Sequence, residues 1–110
     1  MGTHALIKLK TDNDFGVYVH FDGDVLNSFV DNVATRLTKD YRDKRPDDVE
    51  YIRMRMVDAI IKESGGYDGF NYGLRTRDGN SRYLDEEEYV YQIAFNAEED
   101  RFYNVTRDMW

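Results

Sequence analysis

Glu88-Tyr89-Val90-Tyr91-Gln92-Ile93-Ala94-Phe95-Asn96 alternates with a period of two. Tyr89, Tyr91, Ile93 and Phe95 fall on one side, and Val90, Gln92 and Ala94 on the other. Successive side chains of a strand point to opposite faces, so this stretch reads as a strand with one aromatic, core-facing side. Ala97-Glu98-Glu99-Asp100 interrupts the pattern as a turn, and a last strand is expected over about residues 101–107. Toward the N-terminus, Asp78-Gly79-Asn80 reads as another turn, preceded by a short strand near residues 72–77.

The opening of the chain alternates in the same way. Ala5, Ile7 and Leu9 share one side of a strand over residues 3–10, with Lys8 and Lys10 on the other, so this strand is expected to be half-buried. Thr11-Asp12-Asn13-Asp14 is a turn cluster. Beyond it Val17, Val19 and Phe21 face away from Tyr18 and His20, completing an N-terminal hairpin. Between the hairpin and the later strands the period changes to 3.6. Leu26, Phe29, Val30, Val33 and Leu37 mark an amphipathic helix to about residue 39, with Asp24 placed to cap it. After the charged connector 40–45, Val49, Ile52, Met56, Ala59 and Ile60 mark a second helix. Pro46 fits its first turn, Asp47, Asp48 and Glu50 complement its dipole, and Gly65-Gly66 ends it. The expected fold is a single α+β domain over residues 1–110. It has an antiparallel sheet built from the N-terminal hairpin and the C-terminal strands, with two helices packed on one face in the order ββααβββ.

Composition limits the function classes. Of the 110 residues, 26 are Leu, Ile, Val or Phe, above the roughly 20% below which a charged chain tends to stay disordered. A domain of this size hides about two-thirds of its unfolded surface, enough for one core. The chain contains no cysteine, which excludes disulfides, thiolate metal ligands and a cysteine nucleophile. No apolar run approaches the roughly 20 residues of a membrane span, and the position that myristoylation requires as Ser or Thr is Leu6. A cytoplasmic protein is expected. Net charge is −7, concentrated in the last part of the chain. Cations gather only in the middle, at Arg36, Lys39, Arg42, Lys44, Arg45, Arg53, Arg55 and Lys62. Asp40, Asp43, Asp47, Asp48 and Glu50 interrupt them, as on a solvated, salt-bridged helix face. Direct binding to nucleic acid or an anionic membrane is therefore not expected.

No catalytic signature, cofactor motif or phosphate loop stands out, so the chain reads as a binding protein without a cofactor. His20 with Asp22 and Asp24 forms the best acid–base cluster, although His20 and Asp22 share a face next to a turn, where ordinary hydrogen bonding explains them better. His4 would approach His20 if the hairpin register allows, which would bring two histidines and two aspartates within metal-ligating reach. Asp12-Asn13-Asp14-Phe15-Gly16 lacks the spacing of a calcium loop. Asn104-Val105-Thr106 forms a glycosylation sequon without meaning in the cytoplasm.

The C-terminal half is aromatic and acidic. Six of the nine tyrosines lie there, at positions 67, 72, 83, 89, 91 and 103, and Tyr and Trp are favoured anchors at protein interfaces. The partner-binding residues expected on this ground are Tyr67, Phe70, Tyr72, Asp85, Glu86, Glu87, Glu98, Glu99, Asp100 and Trp110. Carboxylates around aromatic anchors can imitate phosphates and occupy a basic nucleic-acid channel. Two other roles are compatible with the sequence. One is a small-ligand or nucleotide site using the 65–73 loop with His20, Asp22 and Asp24. The other is self-assembly, including a homodimer, through exposed strand edges.

Three motifs occur in order: Met1-Gly2-Thr3-His4-Ala5-Leu6-Ile7, then His20-Phe21-Asp22-Gly23, then Glu88-Tyr89-Val90-Tyr91-Gln92-Ile93. Together they resemble a family of small, mostly uncharacterised bacteriophage proteins. That family opens on a Met-Gly-Thr-Arg-Ala-Leu-Ile strand, continues to an aromatic-Asp-Gly turn and carries a late Tyr-Val-Tyr-x-Ile strand. The chain departs from it at His4, where Arg is usual, and at Asp24-Val25-Leu26, where relatives carry a Tyr-Pro-Glu-Gly loop. The resemblance implies a phage accessory protein. With the acidic balance, the expected role is inhibition of a host protein, such as a CRISPR or restriction effector, in the host cytoplasm.

Overall fold

A computed structural model describes residues 4–20, 27–40, 48–66, 72–76 and 89–106. Seven elements follow the expected order: β1 (His4–Leu9), β2 (Phe15–His20), α1 (Asn27–Asp40), α2 (Val49–Glu63), β3 (Tyr72–Thr76), β4 (Tyr89–Asn96) and β5 (Arg101–Asn104). The strands form one sheet in the order β3-β2-β1-β4-β5. Both helices bury their apolar stripes in a single core with Ala5, Ile7, Val17, Val19, Tyr91 and Ile93. Val30, Val33, Ala34 and Leu37 are the buried residues of α1. Those of α2 are Ile52, Met56, Ala59 and Ile60.

The sheet is mixed, not wholly antiparallel. β1 and β4 run parallel, from Ala5 opposite Tyr89 to Leu9 opposite Ile93, while the other three pairs are antiparallel. β3 takes the outer edge of β2 and so points the same way as β1, leaving β4 the far edge of β1. A connection between parallel strands needs about a dozen residues or more, and residues 77–88 supply that length.

Placing β1 at the centre corrects the half-buried reading. Leu6 is completely buried on the face away from the helices, and Lys8 is buried with it. The register leaves room for Leu6 beside Gly16, where an added Cβ would lie 2.7 Å from Leu6 Cδ1. Val49 also departs from its expected role: as the first residue of α2 it stands 38% exposed, at the end of the core-facing stripe. α2 begins after Asp48, whose side chain makes no capping bond. Pro46 and Asp47 lie outside the described residues, as do Asp24 and Leu26 before α1 and the turn at 78–80. Gly65 and Gly66 do end α2. Their φ values of +96° and +130° suit glycine, and Gly66 N donates to Ile61 O at 3.0 Å.

β5 is shorter than expected: beyond Asn104, Val105 N still donates to Gln92 O at 2.9 Å, and the next partner is a side chain. Thr106 Oγ1 accepts from Gln92 N at 2.7 Å, and Thr106 N donates to Asn104 Oδ1 at 3.0 Å. Asn104 in turn donates to Asn27 Oδ1 at 2.9 Å. The sequon residues therefore act as a buried lock between β4, β5 and the start of α1. Phe102 N donates to Thr38 Oγ1 at 2.8 Å, which blunts the β5 edge.

Candidate partner-binding site

Three of the expected partner-binding residues meet at the tip of the β4–β5 hairpin. Asn96 ends β4, and its Oδ1 accepts from the backbone N–H of Glu98 at 2.9 Å and of Glu99 at 3.1 Å. An Asn side chain that satisfies the amides two and three residues on fixes a tight turn. Asp100 completes it at φ +53°, a conformation that Asp tolerates better than most residues. Arg101 Nε pairs with Glu99 Oε1, and its guanidinium lies 5.9 Å from the centre of the Tyr103 ring. Ala97 to Arg101 are all exposed. The turn thus presents three successive acidic residues, of which Glu99 is paired with Arg101.

The hairpin projects past the centre of the sheet. Pairing of β1 with β4 ends at Leu9 and Ile93, and Lys10 N still bonds to Ile93 O at 2.9 Å. Ala94, Phe95 and Asn96 continue beyond that point, an overhang of roughly 10 Å at strand rise. It opens a cleft of about 520 Å³ between the end of β1, the start of α2 and the hairpin. Leu9, Ile52, Phe95 and Phe102 supply apolar lining, and the exposed Lys10 and Thr11 border it. Phe95 and Phe102 meet edge-on with centroids 5.1 Å apart, a favourable aromatic geometry that stiffens the hairpin. The sequence gives no direct sign of this cleft, because the overhang depends on a register between segments more than eighty residues apart.

Other expected site residues are not gathered with the tip. Tyr72 lies on β3, at the opposite edge of the sheet, and its hydroxyl bonds to Ser64 Oγ at the end of α2. Beside it, a groove of about 300 Å³ runs between α2 and β3. Tyr67, Phe70, Asp85, Glu86, Glu87 and Trp110 lie outside the described residues. The hairpin register does place His4 opposite His20. The His20 ring stands 6.4 Å from that of Tyr18. Asp22 and Asp24, however, lie outside the described residues. No group of three His, Cys, Asp or Glu suited to a metal occurs among the described residues. His20 and Tyr72 belong to opposite faces of the sheet, since Tyr72 pairs with Val19, whose side chain enters the core. Among the described residues of the expected small-ligand site, His20 and Tyr72 therefore do not converge.

Several cations of the middle segment are already engaged. Arg36 bonds to Glu63 at 3.1 Å, Lys62 to Asp58 at 3.0 Å, and Arg55 lies over the Tyr51 ring. Arg53 grips Asp12 through Nε at 2.6 Å and Nη2 at 2.8 Å, and stacks over Phe15. Burial of Asp12 pushes its carboxyl upward. The Arg53 hydrogen bonds, the Asp14 amide and the charges of Arg53 and Lys8 outweigh that and hold it below the ordinary carboxylate value. The Asp12 hydrogen bonds raise Arg53 in turn, against the opposing effect of burial. The turn cluster at 11–14 is thus a clamp between the β1–β2 hairpin and α2.

No protein-family model, curated protein or solved structure matches the chain. Among the described residues no helix is long and apolar enough to cross a membrane.

Proposed function

We propose that this chain is a binding protein, not an enzyme, and that it engages a basic surface of a partner protein through the acidic tip of the β4–β5 hairpin. The observation that carries this reading is the tip itself: Glu98, Glu99 and Asp100 are exposed together on a turn fixed by Asn96. A fixed turn loses little conformational freedom on binding, and clustered carboxylates steer a cationic partner toward it. The partner class that fits is a nucleic-acid-handling host protein. Its binding channel is lined with Lys and Arg to meet phosphates, and it would accept a row of carboxylates in their place. Resemblance to small phage proteins favours a defence effector, of the CRISPR or restriction type, inhibited in the host cytoplasm.

The test is capture of partners from bacterial lysate on the immobilised chain, with parallel washes in low salt, high salt and competing DNA. Retention of a nucleic-acid-binding protein in stoichiometric amount, released by both salt and DNA, supports the reading. Retention of nothing, or of proteins indifferent to salt and DNA, contradicts it.

A further inference from the structure

The geometry points to a second element of recognition: the cleft beside the acidic tip seats an aromatic side chain of the partner, carried in a segment where basic residues flank it. This inference rests on the acidic-tip reading and specifies the partner's chemistry. Leu9, Ile52, Phe95 and Phe102 supply the apolar part of a lining that Lys10, Thr11 and Tyr103 share, and a volume of about 520 Å³ lies within the range of roughly 300–1,000 Å³ that holds small ligands. One aromatic ring fits with room for its backbone. On the hairpin side the rim supplies charge complementarity, because Ala97 lines the cleft and Glu98, Glu99 and Asp100 follow it in the exposed turn, whereas the β1 side carries the exposed Lys10. A ring entering between β1 and the hairpin therefore brings its neighbours in sequence against the carboxylates. Binding energy at interfaces concentrates in such anchors, with charged contacts at the rim adding direction more than affinity.

The probe is the blocked pentapeptide Gly-Arg-Trp-Arg-Gly, titrated into the full chain while the amide signals of Thr11, Phe95, Ala97 and Phe102 are followed by NMR. Two control peptides carry glycine in place of tryptophan, or glutamine in place of both arginines. Saturable shifts at those amides, with about tenfold weaker binding of the glycine peptide, support the inference. Ala97→Trp fills the cleft from one rim and Thr11→Trp from the other; each is expected to weaken the tryptophan peptide at least fivefold while leaving the glycine peptide unchanged. Equal binding of the tryptophan and glycine peptides overturns the seat and leaves the acidic tip standing. Equal binding of the arginine and glutamine peptides overturns the acidic-tip reading itself. Two other occupants would overturn the inference: phenylacetate saturating the same amides with no response to any peptide, or shifts that grow with protein concentration alone and so place a second copy of the chain in the cleft.

Discussion

Asp12 makes a heavy local demand on the fold. Its side chain is 3% exposed, and a charge so placed persists only when its oxygens are satisfied. Arg53 supplies two hydrogen bonds and the Asp14 amide a third. Replacing Arg53 with Leu leaves that carboxylate buried with one amide, and is expected to cost about 1–3 kcal/mol in urea denaturation at neutral pH. The folded-state pKa of Asp12 lies below the unfolded value of about 3.9. Its contribution is therefore complete above that value and is lost as pH falls through the folded pKa. Between pH 6 and pH 3 the urea midpoint should fall more steeply for the wild type than for Asp12→Asn; parallel profiles would remove Asp12 from the acid response. Gly16 makes a different demand. A methyl group there meets the fully buried Leu6, which has little room to move. Gly16→Ala is expected to destabilise by about 1–3 kcal/mol, while Gly73→Ala, with no contact nearer than 3.8 Å, should escape that overpacking cost.

At the level of elements, periodicity is informative about which residues share a face and silent about which strand lies beside which. Val30, Val33, Leu37, Ile52, Met56 and Ile60 were legible as core because a 3.6-residue stripe must be covered. Tyr91 and Ile93 were legible because a period of two selects one side of a strand. The parallel direction of β4 was not legible, since an alternating pattern carries no information about strand direction or neighbour. Burial of Leu6 and Lys8 was hidden as well, because it depends on how the flanking strands β2 and β4 pack beside them, with Leu6 seated against Gly16. Thr106 shows a second kind of silence, where a side chain substitutes for a ladder bond beyond the end of β5. Thr106→Val removes the acceptor of the Gln92 amide and is expected to cost about 1–3 kcal/mol. Thermal melting and faster hydrogen exchange at Gln92 would check it, and an unchanged exchange rate would contradict the assigned role. The candidate site divides along the same line. Glu98, Glu99 and Asp100 were legible as an exposed turn, whereas the cleft beside them depends on where β1 stops against β4.

For the whole molecule, charge and shape act together. The chain carries a net −7, and several of its middle cations are tied into ion pairs with helix and turn carboxylates. The acidic hairpin tip projects from the sheet end, held by the Phe95–Phe102 contact and the Asn96 side chain. Such a surface should bind with a strong salt dependence, expressed mainly in the association rate. The most direct test compares the wild type with Glu98→Lys/Glu99→Lys against the protein captured from lysate, by surface plasmon resonance at about 50 and 200 mM salt, two conditions chosen to separate screened from unscreened charge. The tip account predicts at least tenfold weaker binding of the double variant at low salt, with most of the loss in the association rate and a smaller difference at high salt. Equal affinities at both salt concentrations, with both chains folded, would contradict it.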